Sequence, residues 1–262
     1  MEKKLKSFQK VNGINLIKRI KVFVLFLLII LLVYLYTLFN PTLFYNYKVS
    51  FKNISVYSDE NIDKDAINQI LITVDERLRK SEIYNENFTQ NIFITNNKFR
   101  WVYFTNVNNN VGGLNYVVFN HNVFIRKSDI ENNRVISPSG NIVPDSRTLD
   151  YFITHEITHT LEYQELGITK HPLFTNWVLE GYAEYIAHDS ERYEDSLNHF
   201  LKTPETSYSK YYTRIRSMIA YLLEKEKINV HNIWEYADKY DETLIKAIPK
   251  DNPSINDNIH TW

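Results

Sequence analysis

The sequence predicts an α+β fold that follows a single N-terminal transmembrane helix. An uncharged apolar run occupies residues 22–39. Strand-like segments and one amphipathic helix follow up to about residue 125, and the chain from Arg147 onwards has a helical pattern. Because strands come before helices instead of alternating with them, the order favours α+β: a small mixed or antiparallel sheet with a helix, then a helical part.

The composition is that of a folded chain. Its 262 residues are 44% hydrophobic and 15% aromatic, which supplies one medium-sized core, and disordered chains are poorer in such residues. The chain has no cysteine. This excludes a disulfide framework, a thiolate metal site and a cysteine nucleophile.

Charge is distributed unevenly along the chain. Residues 1–21 contain seven Lys and Arg residues and one acid, Glu2. Removing these from the totals of 30 cations and 31 anions leaves 23 cations and 30 anions, so the rest of the chain is acidic at −7. Such a body lacks the basic surface that binds nucleic acids.

The apolar run from Val22 to Phe39 predicts a single membrane span. As a helix it is roughly 27 Å long, close to the thickness of the hydrocarbon core. The positive-inside rule places the basic side in the cytoplasm and the rest of the chain outside it. An uncleaved anchor is favoured over a signal peptide because no Ala-x-Ala-like site follows. It is favoured over a buried soluble helix because the run is apolar on every side.

The predicted organisation is therefore a cytoplasmic basic tail, a transmembrane anchor, one domain and a polar tail, at residues 1–21, 22–39, 45–250 and 251–262. Within the domain, residues 53–57, 91–95 and 101–104 are predicted as strands. Apolar residues recur at helical spacing between Asp63 and Lys80. Residues 112–119 and 123–125 predict a hairpin, and 131–146 a loop.

A further helix is predicted after this loop. Leu149, Ile153 and Ile157 recur every four residues and face the core. Asp145 or Ser146 is the expected N-cap, and Gly167 the expected C-cap. This helix carries the segment HEITH, residues 155–159.

The residue types and spacing of HEITH predict a zinc site. His155 and His159 are four apart, so both imidazoles leave the same helix face and can bind one zinc ion at about 2.0–2.1 Å. Glu156 is turned by roughly 100° about the helix axis. It can therefore reach the open side of the metal, where a general base is needed.

The third ligand is expected on a second helix. The spacing HExxHxxGxxH is absent, because Glu162 and Glu165 occupy its Gly and His positions. After a loop of about ten residues, Thr175 or Asn176 can cap a helix over 177–187. If the two helices are antiparallel, that helix can bring Glu180 to the zinc.

HEITH followed by the pattern WxxEGxAEY at residues 177–185 resembles the gluzincin metallopeptidases, in particular the peptidase MA-like group. The resemblance covers roughly residues 145–225. It implies a zinc peptidase with one Zn²⁺ per chain, in which Glu180 is the third ligand. Together with the predicted span, this gives a membrane-anchored zinc peptidase as the expected function. It also implies that Tyr212 stabilises the oxyanion, a role for which Tyr208 and Tyr211 compete.

Other residues are assigned supporting roles. Glu184, one turn after Glu180, is expected to accept a hydrogen bond from the far nitrogen of His155 or His159. The strand that begins with Gly112, Gly113 and Leu114 is expected to border the cleft and to pair with a peptide or protein substrate, with the glycines allowing close approach.

Two alternatives to a peptidase remain open. The first is a non-proteolytic zinc-binding or peptide-binding protein on a gluzincin-like fold. The second is a membrane-anchored interaction module in which HEITH is accidental. Bound zinc would exclude the interaction module, because only the other two hypotheses include a metal site. Peptide cleavage would then distinguish the peptidase from the non-proteolytic protein.

Overall fold

The computed structural model describes residues 2–106, 111–117, 121–143, 147–171, 176–204 and 209–249, with side chains from residue 18 onwards. The chain is mixed α/β and about 57% helical. It divides into two units, residues 1–44 and 45–262.

The first unit is one long helix, α1 (Glu2–Phe39), followed by a 3₁₀ turn over Pro41–Phe44. Its part Lys18–Phe39 is long and apolar enough to cross a membrane, a property that a signal sequence shares. The helix begins well before the predicted anchor. From Glu2 onwards, the basic segment and the apolar run belong to the same helix.

The second unit contains a five-stranded mixed sheet. Its strands are β1 (Tyr47–Phe51), β2 (Ile54–Ser58), β3 (Gln90–Thr95), β4 (Gly113–Tyr116) and β5 (Asn122–Arg126). Their order in the sheet is β1-β2-β3-β5-β4. The pairs β2–β3 and β3–β5 are parallel, whereas β1–β2 and β4–β5 are antiparallel. The predicted hairpin is confirmed, and β4 lies at an edge of the sheet.

The two faces of the sheet bury different side chains because successive residues of a strand point to opposite faces. Ile92 and Ile94 of β3 belong to the main core cluster, together with apolar residues of the helices. On the other face Phe93 stacks on Phe124 with ring centroids 5.2 Å apart, and Phe124 stacks on Phe104 at 4.7 Å. Both faces are therefore covered.

Two short helices accompany the strands. Helix α2 (Lys64–Leu78) follows β2 and confirms the helical period predicted between Asp63 and Lys80, and the structure shows Asp63 as its N-cap. Helix α3 (Lys98–Phe104) replaces the strand predicted at 101–104, so that prediction is wrong. The Asn97 side chain accepts hydrogen bonds from the backbone N–H groups of Phe99 and Arg100 and so starts a helix. Aromatic residues that favour strands therefore lie on a capped helix.

The segment predicted as a loop at 131–146 also contains regular structure. Strand β6 (Ser128–Asp129) pairs with β7 (Arg134–Val135) in an antiparallel ladder. An isolated bridge joins Ile136 to Ile142. The loop prediction holds only between these pairings, and residues 144–146 lie outside the described residues.

Helices dominate from Leu149 onwards. They are α4 (Leu149–Lys170), α5 (Trp177–Ala187), α6 (Tyr193–Lys202), α7 (Ser209–Glu224) and α8 (Tyr240–Ala247), with a 3₁₀ segment at Val230–Tyr236. Helix α4 packs on α2, α5, β4 and β5, and α5 packs on α7. Helix α4 thus lies between the sheet and the helices that follow it.

The ends of α4 differ from the predicted caps. Thr148 is the N-cap residue, although its side chain makes no capping hydrogen bond. Asp145 and Ser146, the predicted caps, lie outside the described residues. Gly167 interrupts the helix with φ 68° and ψ 168°. Glycine adopts this backbone conformation without the penalty that a side chain brings. The helix is thus interrupted at the residue predicted as its C-cap, but helical residues resume after it and the C-cap is His171.

Candidate metal centre

Helix α4 carries His155 and His159 on one face, one turn apart. Their rings are nearly perpendicular, with centroids 4.9 Å apart. Both side chains are buried, with 8% and 6% of the residue surface exposed. Every residue from Leu149 to Glu162 is buried, because the helix has neighbours on several sides. The two imidazoles therefore lie in the interior.

Helix α5 brings Glu180 to both imidazoles. The Asn176 side chain caps this helix by accepting hydrogen bonds from the backbone N–H groups of Val178 and Leu179 at 3.0 and 3.2 Å. Glu180 lies in the first turn. Its Oε2 is 3.4 Å from Nε2 of His155, and its Oε1 is 3.9 Å from Nε2 of His159. Of the two residues predicted as the N-cap of α5, Asn176 is the cap, and Thr175 lies outside the described residues.

The three side chains fit a zinc ion. One ligand atom from each of His155, His159 and Glu180 lies within 4.8 Å of the other two. Two ligands at about 2.0–2.2 Å from a tetrahedral zinc lie roughly 3.3 Å apart, which is near the observed separations. Among the described residues, no other cluster of His, Asp or Glu has such a geometry.

A buried carboxylate lies behind His155. Oε1 of Glu184 is 3.3 Å from the Nδ1 atom of this histidine, and the same oxygen accepts a hydrogen bond from the Tyr151 hydroxyl. Burial acts to raise the pKa of Glu184, but the adjacent His155 imidazole outweighs it and lowers the pKa to about 2. The structure thus places Glu184 beside His155, one of the two positions expected from the sequence.

A second buried carboxylate lies behind His159, and the sequence analysis did not assign it. Oε2 of Glu162 is 2.7 Å from Nδ1 of His159, and Glu162 is fully buried. Burial raises the pKa of Glu162 to about 7, against the opposing effect of His159. The signal was present in the sequence, because residues three apart on a helix are neighbours.

Glu156 lies under the edge strand. It is 8% exposed, and burial raises the pKa of its carboxyl group. A Cβ atom at Gly113 would come within 2.6 Å of Oε1 of Glu156, and one at Gly112 within 2.3 Å of the Phe152 ring. The two glycines are therefore required by the close contact of β4 with α4. The predicted reason, close approach of a peptide, is not needed to explain them.

Asn115 fixes the register between β4 and α4. Its Nδ2 donates to the backbone carbonyl of Glu156 at 2.5 Å and to the Thr160 hydroxyl at 2.8 Å. The Thr160 hydroxyl in turn donates to Oε1 of Gln90 at 2.8 Å. This role of Asn115 cannot be predicted from the sequence, because it consists of tertiary contacts and has no motif.

A cavity of about 370 Å³ opens onto these groups. It is lined by the three side chains of the metal group and by Glu156, Glu184, Gly112, Gly113, Leu114 and Tyr212. The half-buried Tyr212 has the guanidinium of Arg147 5.0 Å from its ring centroid. Tyr211, its competitor, packs on the Tyr212 ring at 5.5 Å and is not among the described residues that line the cavity. Tyr208 lies outside the described residues.

No family model matches this chain, and no curated protein matches it in sequence. The gluzincin resemblance therefore stays a hypothesis based on HEITH and on the pattern around Glu180. The arrangement of the side chains is an independent observation.

Proposed function

We propose that the chain is a zinc-dependent peptidase of the gluzincin type. The observation that carries the proposal is the convergence of His155, His159 and Glu180 beside the buried carboxyl group of Glu156. Two imidazoles and one carboxylate, with a glutamate at the open side, are the ligand set and the base of a zinc hydrolase.

His155, His159 and Glu180 would hold the ion. Both imidazoles offer Nε2, since their Nδ1 atoms lie near the carboxylates of Glu184 and Glu162. A carboxylate at Nδ1 keeps the proton on that nitrogen, which leaves Nε2 as the electron-pair donor and raises its basicity. When bound, zinc supplies Lewis-acid chemistry, in which it polarises a water molecule and the substrate carbonyl.

Glu156 is the proposed general base. Burial raises the pKa of its carboxyl group, which brings it closer to the operating pH and makes both acceptance and release of a proton easier. Its carboxylate would accept the proton of the attacking water and then donate that proton to the leaving amine. The hydroxyl of Tyr212, which lines the same cavity, would donate a hydrogen bond to the developing oxyanion.

The substrate would bind along β4 as an added strand. This strand lies at the sheet edge and borders the cavity with Gly112, Gly113 and Leu114. An edge strand offers backbone N–H and C=O groups to an extended peptide. The proposed partner is therefore a peptide or an unfolded segment of a protein.

Membrane attachment completes the proposal. The apolar helix fits a single span, and the seven cations before it favour a cytoplasmic N-terminus. The catalytic domain would then act outside the cytoplasm, at the cell membrane.

The test compares wild type with Glu156→Gln, both as full-length chains in detergent. Wild type is expected to bind zinc and to cleave an unfolded protein such as casein. Glu156→Gln is expected to keep its zinc and to lose about 100-fold or more of the activity, because only the base is removed. The control Glu165→Gln lies on the same helix and pairs with His231, so it should behave as wild type.

Zinc-loaded wild type that binds peptides without cleaving them would favour the non-proteolytic alternative. The edge strand beside the cavity supports peptide binding under either reading. Equal cleavage rates for wild type and Glu156→Gln would overturn the assignment of the base.

A further inference from the structure

Two arginines line the same cavity as the metal group. Arg126 is the last residue of β5 and is 8% exposed. Its Nη1 donates to the backbone carbonyl of Val111 at 3.2 Å, and its guanidinium lies 5.4 Å from the Trp101 ring centroid. Arg147 lies two residues before α4, with its guanidinium over the Tyr212 ring. The cavity therefore holds two fixed positive groups in addition to the metal ligands.

Both arginines lie at the end of the cavity where β4 and α4 begin. The backbone N–H of Arg126 donates to the carbonyl of Gly112 at 3.1 Å. Gly112 contacts Phe152, in the first turn of α4, whereas Gly113 contacts Glu156, one turn further on. The two arginines thus belong to the part of the cavity wall near the start of β4. The proposed base and zinc ligands belong to the part further along that strand.

We propose that Arg126 and Arg147 bind a carboxylate of the peptide substrate on the C-terminal side of the cleaved bond. This inference rests on the proposed peptidase function. Guanidinium groups bind carboxylates through paired, charge-assisted hydrogen bonds, which are stronger than neutral ones. Of the acids that line the cavity, Glu180 and Glu184 lie beside His155 and Glu156 is the proposed base, and Arg147 also acts electrostatically on Glu184.

The same charges select the direction of the peptide. A peptide antiparallel to β4 has its C-terminal end at the start of that strand, beside the two arginines. A parallel peptide would place its N-terminal end there, and an ammonium group would be repelled by two guanidinium groups at short range. The antiparallel direction is therefore favoured, and the carboxylate belongs to the leaving-group side.

The carboxylate can come from the peptide C-terminus or from an Asp or Glu side chain. Four matched fluorogenic peptides separate these sources: a free acid and its C-terminal amide, and two amides that differ by Glu or Gln after the cleaved bond. With the full-length zinc-loaded protein in detergent, at least one acidic peptide should exceed its neutral partner in kcat/KM by about tenfold or more. The pair that shows the preference identifies the source.

Variants test whether the two arginines cause the preference. Arg126→Gln and Arg147→Gln should each bring the ratio of acidic to neutral peptide towards one. Arg192→Gln removes an arginine whose side chain is 75% exposed and should keep the ratio. Since Arg126 is buried, the half-buried Arg147 provides the variant that is more certain to fold. A wild-type ratio near one for both pairs, or a ratio unchanged in both cavity variants, would overturn the proposal.

A binding measurement separates this proposal from the proposed function. Fluorescence anisotropy with the same peptides and Glu156→Gln needs no cleavage, and it should show the same preference of about tenfold. If nothing is cleaved but acidic peptides bind preferentially, the peptidase assignment fails and the carboxylate site stands. If neutral peptides are cleaved and no preference appears in either assay, only the carboxylate site fails.

Arg147 also acts electrostatically on Glu184, so a loss of zinc without a change in the ratio would assign Arg147 to the metal group instead.

Discussion

The Nδ1 atom of His159 lies 2.7 Å from Oε2 of Glu162, three residues further along the same helix. Both side chains are buried. This contact lets a carboxylate of the same helix orient the His159 ring. The Nδ1 atom of His155 instead lies 3.3 Å from Oε1 of Glu184, which belongs to α5. The two imidazoles of the metal group thus have different kinds of support.

Replacing Glu162 by Gln should weaken zinc binding without abolishing it. The loss of a carboxylate that orients a ligand histidine typically costs about 10- to 100-fold in metal affinity. Competition with a chromophoric chelator measures the change. The control is Glu165→Gln, which removes an acid of the same helix that pairs with His231. Equal affinities for wild type and Glu162→Gln would refute a role for this pair.

Gly113→Ala should reduce peptide cleavage and leave the zinc in place. The added Cβ would lie 2.6 Å from Oε1 of Glu156, so either β4 or the carboxylate must shift. A displacement of about 1 Å of a catalytic group can cost roughly 100-fold in rate. Metal analysis and steady-state kinetics on the same preparation check both halves of the prediction. Full activity, or loss of zinc in parallel with activity, would contradict it.

The sequence predicts most of the fold where apolar residues have a clear period. Helix α2 is predicted from five apolar positions alone, Ile67, Ile70, Leu71, Val74 and Leu78, and all five are buried. The segment 101–104 is too short to show a period, and its aromatic content favoured a strand. The cap at Asn97, which turns it into α3, lies outside that window. Strand β1 was not predicted, because it is largely exposed and makes its contacts with β2.

The candidate site divides in the same way. His155, Glu156 and His159 share one helix, so their spacing in the sequence determines how their side chains are arranged. Glu180 is a candidate from the two predicted helices and is assigned as the third ligand through the resemblance, because its approach depends on how α5 packs on α4. Asn115 and the two cavity arginines, Arg126 and Arg147, have no motif and become visible only when distant segments meet. Glu162 enters the sequence analysis only as the residue at the Gly position of HExxHxxGxxH, although its spacing of three from His159 already places the two side chains together on a helix.

Asp75→Asn should lower stability at neutral pH but not in acid. Oδ2 of Asp75 is 2.5 Å from Nζ of Lys52 and 2.9 Å from Nε of Arg79. Burial acts to raise the pKa of Asp75, but these two hydrogen bonds outweigh it and lower the pKa below 3.8. A lowered folded-state pKa stabilises the fold above the unfolded-state pKa, and this contribution is lost as the pH falls through the folded-state pKa.

The expected loss at pH 7 is about 1 kcal/mol or less, since Lys52 and Arg79 are 50% and 43% exposed and water screens the pair. Urea unfolding of wild type and variant should converge as the pH falls through the folded-state pKa of Asp75, because the carboxyl group is then protonated. Glu76→Gln changes an exposed acid of the same helix and serves as the control. A difference that persists in acid would show that the ion pairs are not its cause.

The apolar helix should keep the mature protein in the membrane. The full-length chain is expected to resist extraction at alkaline pH, and an intact mass should still include residues 1–44, because no cleavage site follows the span. Protease added to intact cells should digest the domain from outside. Recovery of a shortened, freely soluble product would identify a signal peptide, and protection from the protease would reverse the proposed orientation.

Zinc content per chain tests the central claim most directly. Wild type should contain one zinc, and His155→Ala, His159→Ala and Glu180→Gln should each lose it, because each removes one of the three convergent ligands. His231→Ala, which changes a half-exposed histidine paired with Glu165, should retain the metal. Wild-type protein without stoichiometric zinc, or His155→Ala with undiminished zinc, would contradict the account.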